Sequence, residues 1–220
     1  MTARAREPIA ENLRRMVITG ELHPGTLVSE GQLAKSLGCG RTPLREALQR
    51  LSGQHLVELP PRRGILIPEL SILDFQQAAE AMLSLGSIYI EFACDRITEG
   101  QLQELGETVE EQQQCGESAR FYDLAELDRR FHTLLAEATT NRYFIDSANR
   151  LHTSLERFTY RAWTVTESAE QSVAEHGRIV QALKKRDGVL SKQRLAEHTD
   201  LGRQRILRIL GLGTHTRDSL

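Results

Sequence analysis

Two short amphipathic segments joined by a glycine-bearing turn constrain this chain more than any other feature. They occupy residues 29–51, SEGQLAKSLGCGRTPLREALQRL. Ser29 through Gln32 reads as a capping box, with serine at N-cap and glutamine at N3. The helix it opens carries Leu33, Ala34 and Leu37 on one face and stops at Gly38. Four residues on, a second helix is expected, with Thr42 as N-cap and Pro43 at N1, where a missing N–H costs nothing. Leu44, Ala47, Leu48 and Leu51 recur at i, i+3, i+4 and i+7, so one face is buried. Arg41, Thr42, Arg45 and Gln49 are left near the exposed face. Cations at a helix N-terminus oppose the macrodipole, which makes sense if an anion normally lies there. Two such helices with a tight turn form the helix-turn-helix pattern.

The flanks extend the pattern. Ile9, Leu13, Met16 and Val17 define a helix ending at Gly20, and HPGTLVS reads as a turn and a short extended piece. Downstream, HLVELPPRRGILIPE reads as a hairpin with Arg62, Arg63 and Gly64 at its tip, a basic wing. In a winged helix-turn-helix the second helix enters the major groove of double-stranded DNA, and a basic wing tip can lie along the minor groove or backbone. Arg41 and Arg45 would then meet phosphates and guanine edges, with Thr42 and Gln49 as shorter polar contacts. The charge distribution agrees. Residues 1–70 hold ten Lys and Arg against seven Asp and Glu, net +3, whereas the rest of the chain is net −5. A three-helix cap with surface arginines is the competing account.

Beyond Pro68 the pattern is helical throughout. Ser71, with Asp74 three residues on, caps a first long helix, and the linker between the two parts is therefore very short. Breaks fall near Thr98–Gly100, Cys115–Gly116, Thr140–Asn141, Thr166–Glu167 and Asp187–Gly188, which makes about six helices. The expected fold is mostly α: a winged helix-turn-helix over residues 1–69 joined to an all-α bundle over 70–220. No apolar run approaches the ~20 residues that a membrane span needs. Three cysteines, odd in number and without metal-site spacing, point to a reducing cytoplasm rather than a disulfide framework.

Two pieces of the bundle carry chemistry. In AELDRRFHTLL, Asp128 and His132 stand at i and i+4 on one helix face. His176 and His198 lie eleven residues either side of the turn at Asp187–Gly188, so antiparallel helices hinged there put both at one level. One Asp and three His suit a divalent transition metal such as zinc, nickel or manganese, one per chain, and an octahedral ion would keep positions open for water or a carboxylate. The bland alternatives are an i, i+4 ion pair and core histidines. His152, His23, His55 and His215 are assigned to structure.

The run RTPLREAL followed by a wing glycine resembles the winged helix of the GntR family of bacterial transcription regulators. The resemblance implies DNA contacts at Arg41, Thr42 and Arg45, with Arg63 and Gly64 at the wing tip. Gly40 and Gly31 depart from it, standing where a Ser or Thr and an Arg are common. The Asp-x-x-Phe-His pattern, Asn141, and Glu-His with a second His twenty-two residues on resemble the FCD effector domain (FadR subfamily, in its shorter six-helix, VanR-like version). That resemblance implies that Asp128, His132, His176 and His198 bind the ion. It also implies a homodimer that reads a palindromic operator, and a small carboxylate effector whose binding changes DNA affinity, repression being the expected sign. Met82 and Gly86 stand where an arginine and a glutamate are common, leaving Arg157 and Arg161 as candidate effector contacts. Two alternatives remain: a metal that only holds the bundle together, and a metal-dependent hydrolase. The second is disfavoured because Glu175 and His176 point about 100° apart on their helix.

Overall fold

The computed structural model describes residues 3–61, 63–166 and 168–211, and these divide into two compact units at Asp74–Phe75. Arg62 and His215 lie outside the described residues.

The first unit contains α1 (Ala3–Ile18), β1 (Leu27–Val28), α2 (Glu30–Ser36), α3 (Arg41–Gly53) and β2 (Ile65–Leu66). Its core is built from the predicted faces: Leu13 and Val17 of α1, Leu33 of α2, and Leu44, Leu48 and Leu51 of α3. Gly20 and Gly38 both take positive φ, ending α1 and α2 in the left-handed conformation that glycine tolerates. Ser29 caps α2, its Oγ accepting from the Gln32 N–H at 3.1 Å.

Two local expectations are corrected. The α3 N-cap is Gly40, extended at ψ 163°, and its carbonyl accepts from the Leu44 N–H. Thr42 and Pro43 therefore sit inside the first turn, where orphan donors make proline harmless. The wing is also thinner than its sequence promised. Among the described residues its outgoing arm contributes Glu58, which exchanges two 2.9 Å backbone hydrogen bonds with Leu66. Pro60 and Pro61, lacking N–H groups, prevent that ladder from continuing towards the tip. The regular antiparallel pair instead joins the returning strand to β1, with Leu27 opposite Leu66 and Val28 opposite Ile65. Gly64 holds the crossing: φ is +94°, and a Cβ there would sit 2.7 Å from the Val28 carbonyl oxygen.

The second unit is the six-helix bundle: α4 (Ile72–Arg96), α5 (Glu99–Glu117), α6 (Phe121–Glu137), α7 (Arg142–Val165), α8 (Ser168–Lys184) and α9 (Gly188–Ile209). Thr98, Asn141 and Asp187 cap α5, α7 and α9 through their side chains, and Ser71 Oγ accepts from the Asp74 N–H. One break is displaced. Gly116 remains helical, α5 runs to Glu117, and the left-handed residue is Ala119 at φ 53°. One apolar core cluster draws on all six helices, including Ile90, Leu105, Phe131, Leu134, Ala148, Ile179, Leu183 and Leu195, and a smaller one gathers Cys115, Leu124, Ala125, Trp163, Ala169 and Val173. No described helix is long and apolar enough to cross a membrane.

Candidate DNA-binding surface and metal centre

Along α3 the burial alternates as the spacing requires. Leu44, Ala47, Leu48 and Leu51 are buried, while Arg41, Thr42, Arg45 and Gln49 are exposed on the other face. Arg63 is exposed at the wing tip beside Gly64. No side chain caps α3, so its first-turn N–H groups add to the positive end of the helix dipole. Arg45 is not idle. Its Nε donates to Glu30 Oε2 at 2.9 Å, tying α3 to the first turn of α2.

The second constellation is built inside the bundle. Asp128 and His132 project from α6, His176 from α8 and His198 from α9, and the fold brings all four together. Asp128 Oδ1 lies 3.9 Å from His132 Nε2 and 3.5 Å from His176 Nε2. The His176 and His198 Nε2 atoms are 3.3 Å apart. The hinge at Asp187–Gly188 thus levels the two histidines as the sequence implied.

A surrounding shell fixes the rings. His176 Nδ1 donates to Gln112 Oε1 at 2.8 Å, and His198 Nδ1 donates to Glu175 Oε2 at 2.9 Å. Arg205 in turn donates to both Glu175 oxygens, at 2.8 and 2.7 Å. Burial alone would raise the Glu175 carboxyl, but the hydrogen bonds from Arg205 and His198 hold it at about 2. This is the carboxylate–histidine pairing that sets a tautomer and raises ligand basicity. With each Nδ1 donating outward, two neutral rings would turn their Nε2 lone pairs on each other at 3.3 Å. Two facing lone pairs repel, and a cation between them removes the conflict.

Electrostatics agree with that fit. Burial, then the neighbouring imidazoles, push His132 and His176 well below the ordinary histidine value, so neither competes as a cation. Burial, then the Glu156 charge, raises the Asp128 carboxyl to about 8, and a dication would reverse that shift. The donors present therefore fit a divalent ion. Glu175, engaged by His198 and Arg205, does not act as a base at this centre.

A further histidine lies against the cluster. His152, assigned to structure from sequence, stacks on His132 with ring centroids 3.9 Å apart. Asp128, His132 and His152 form a donor group overlapping the one made by His132, His176 and His198. The hinge argument that paired His176 with His198 also applies here. The α6–α7 turn at Thr140–Asn141 lies nine residues after His132 and eleven before His152, which brings the two to similar heights. Glu156 follows one turn later on the same face. A cavity of about 70 Å³ adjoins the cluster and is lined by Asp128, His132, His152, Glu156 and His198 together with residues of α4, α7, α8 and α9. Neither Arg157 nor Arg161 lines it: Arg157 is buried elsewhere in α7 and Arg161 is exposed. Met82 and Gly86 both do.

Residues 5–67 match the model of the bacterial regulatory proteins of the gntR family, and residues 77–201 match the FCD domain. The chain belongs to the GntR family, with an FCD domain behind its helix-turn-helix. Its relatives include the regulator YdhC of Bacillus subtilis, 27% identical over 84% of each chain. They also include the transcriptional repressor RspR of Escherichia coli, 26% identical over 84% of this chain and 82% of that one. The fold is that of E. coli McbR, with a TM-score of 0.80 over 96% of this chain and 100% of that one at 20% identity. A GntR-family regulator from Rhodococcus aligns with a TM-score of 0.70 over 94% and 99% of the two chains. The family consists of transcription regulators rather than enzymes, and the winged helix is its DNA-binding part.

Proposed function

We propose that this GntR-family protein is a cytoplasmic, ligand-responsive repressor that binds a palindromic operator as a homodimer and carries one divalent transition metal per bundle. The observation that carries the metal reading is the His176–His198 pair, whose outward hydrogen bonds turn two lone pairs on each other at 3.3 Å. Asp128 and His132 complete the set, and the bound ion supplies a Lewis-acidic anchor for a small carboxylate. Arg41, Arg45 and Arg63 supply phosphate and base contacts, and Thr42, Gln49 and the Gly64 backbone shape the approach. Arg62, outside the described residues, extends the basic tip by sequence alone. Ligand bound beside the ion favours one arrangement of the bundle and thereby changes the pose of the paired recognition helices. A coupling of only ~1–3 kcal/mol shifts operator affinity by about 5–150-fold.

The test is metal content per chain by elemental analysis of protein purified without chelator, beside the His176→Ala variant. About one equivalent in the parent and little in the variant supports the centre. No metal in either, even after reconstitution, reduces the cluster to a polar core. Chelation that lowers thermal stability while leaving every ligand response intact assigns the ion to structure alone.

A further inference from the structure

The wall of the α4–α9 cavity holds polar atoms that the protein does not satisfy. Tyr89, on α4, is fully buried, and its hydroxyl has no hydrogen-bond partner. His152 Nε2, on α7, is buried and likewise without a partner. Both residues line the same cavity. Native proteins pair the great majority of buried polar groups, since an unsatisfied one loses its hydration with nothing in return. His132 Nδ1, on the same wall, is also without a partner, and three such atoms on one small cavity point to an occupant that pairs with some of them.

The rest of the wall defines that occupant. Phe75, Ala79, Met82, Leu155, Leu195 and Ile206 make it largely apolar. The Thr159 and Thr199 hydroxyls donate to the backbone carbonyls of Leu155 and Leu195, which leaves them only an acceptor role towards a ligand. Among the lining residues the guanidinium is that of Arg203, and Asp200 holds it through two hydrogen bonds of 2.7 and 3.0 Å. Glu156 adds a carboxyl to the wall. A second carboxylate on the ligand would thus meet a like charge and no unengaged cation, a costly juxtaposition in an apolar site. A neutral oxygen has no such penalty and can pair with a phenol and an imidazole.

We infer that Tyr89 and His152 form the specificity-determining subsite of the effector pocket, and that the effector is a small monocarboxylate bearing a neutral hydroxyl or carbonyl oxygen rather than a di- or tricarboxylate. The inference rests on the proposed ion-anchored pocket: the carboxylate takes the ion's open positions, and the neutral oxygen reaches Tyr89 Oη and His152 Nε2. The cavity, with room for about five water-sized groups, accommodates an acid of three to five carbons.

The experiment is calorimetric titration of metal-loaded protein with butanoate, its 3- and 4-hydroxy derivatives and butanedioate, repeated on the Tyr89→Phe and His152→Ala variants. Melting temperature and metal content are recorded for each protein. At least one hydroxy acid is expected to bind roughly tenfold more tightly than butanoate, with butanedioate weakest. Tyr89→Phe should abolish the hydroxy-acid advantage, leave metal content unchanged, and raise the melting temperature of ligand-free protein, because it deletes an orphaned hydroxyl. His152→Ala should weaken the hydroxy acids by a larger factor than butanoate, any loss common to both acids reporting on the neighbouring donor group. Equal binding of butanoate and its hydroxy derivatives, in a protein that does hold metal, would overturn this inference while leaving the ion-anchored pocket standing. Preferential binding of butanedioate, or a destabilised Tyr89→Phe protein with ligand affinities unchanged, would overturn it too. Loss of all acid binding in metal-loaded parent protein would remove both this subsite and the reading beneath it.

Discussion

The candidate recognition helix and the candidate metal centre use charge in opposite ways. On α3 the candidate DNA-contacting side chains are exposed, close together in sequence, and displayed by a helix whose far side is buried. In the bundle they come from separate helices up to 70 residues apart, are nearly all buried, and touch one another. The surface site works through long-range attraction in water, so it tolerates imprecise geometry and is sensitive to salt. The buried site works through short distances and fixed tautomers, so each donor depends on the next.

The sharpest way to break this contrast is His176→Ala. Removing one imidazole from an interdependent set should cost metal affinity more than the roughly 10–100-fold of an outer-shell change. Operator affinity of the metal-free protein should stay as it is in metal-free parent. Chelator competition and a DNA gel shift on the same preparation read both quantities. Undiminished metal binding would show that the donors do not act as a set.

Second in size is the pH dependence of metal affinity. An ion held as proposed needs the Asp128 carboxylate, whose carboxyl is held up at about 8, so binding would expel a proton below that value. His132 and His176, kept neutral by burial, release none. Affinity should therefore rise about tenfold per pH unit from pH 6 towards pH 8 and level off above. Asp128→Asn should flatten the slope. A profile already flat in the parent would mean that Asp128 does not contribute as a carboxylate.

These two tests also mark where the sequence was informative. The helix-turn-helix, the wing glycine and the six-helix count all follow from signals local in sequence, because caps, glycines and helical spacing act over a few residues. The clustering of Asp128, His132, His176 and His198 was legible because two share a helix turn and the other two straddle a hinge symmetrically. His152 was passed over because its placement depends on unequal arms about the Thr140–Asn141 turn, and on a stacked contact that no spacing specifies. Tyr89 was invisible for another reason. A tyrosine on an apolar helix face reads as core, and only the packed structure shows its hydroxyl left without a partner. The α3 N-cap was misread because Thr42 has the better capping side chain, yet Gly40 adopts the extended conformation and starts the helix sooner.

A smaller effect is expected on the surface side. Arg45→Ala should weaken operator binding by about 1–3 kcal/mol and reduce the salt slope by about one. Fluorescence anisotropy over a series of salt concentrations checks it. Unchanged affinity and slope would move the DNA contact off this face of α3.

The smallest effect bears on how the two strategies meet in one side chain. Arg45 is exposed, yet it holds a directed 2.9 Å contact with Glu30. Any phosphate that recruits Arg45 must compete with that carboxylate, and the carboxylate itself repels DNA. Exposed ion pairs contribute only ~0.2–1 kcal/mol, so Glu30→Gln should tighten operator binding by no more than about fivefold, the equivalent of that range. The gain should shrink as salt rises, since both the pair and the repulsion are screened. In an Arg45→Ala background the part of the gain due to competition should vanish, leaving only the repulsion between Glu30 and DNA. A weaker complex in Glu30→Gln would carry the opposite lesson. The carboxylate would then be aiming the guanidinium at DNA, and even this exposed site would rely on the preorganisation that governs the buried one.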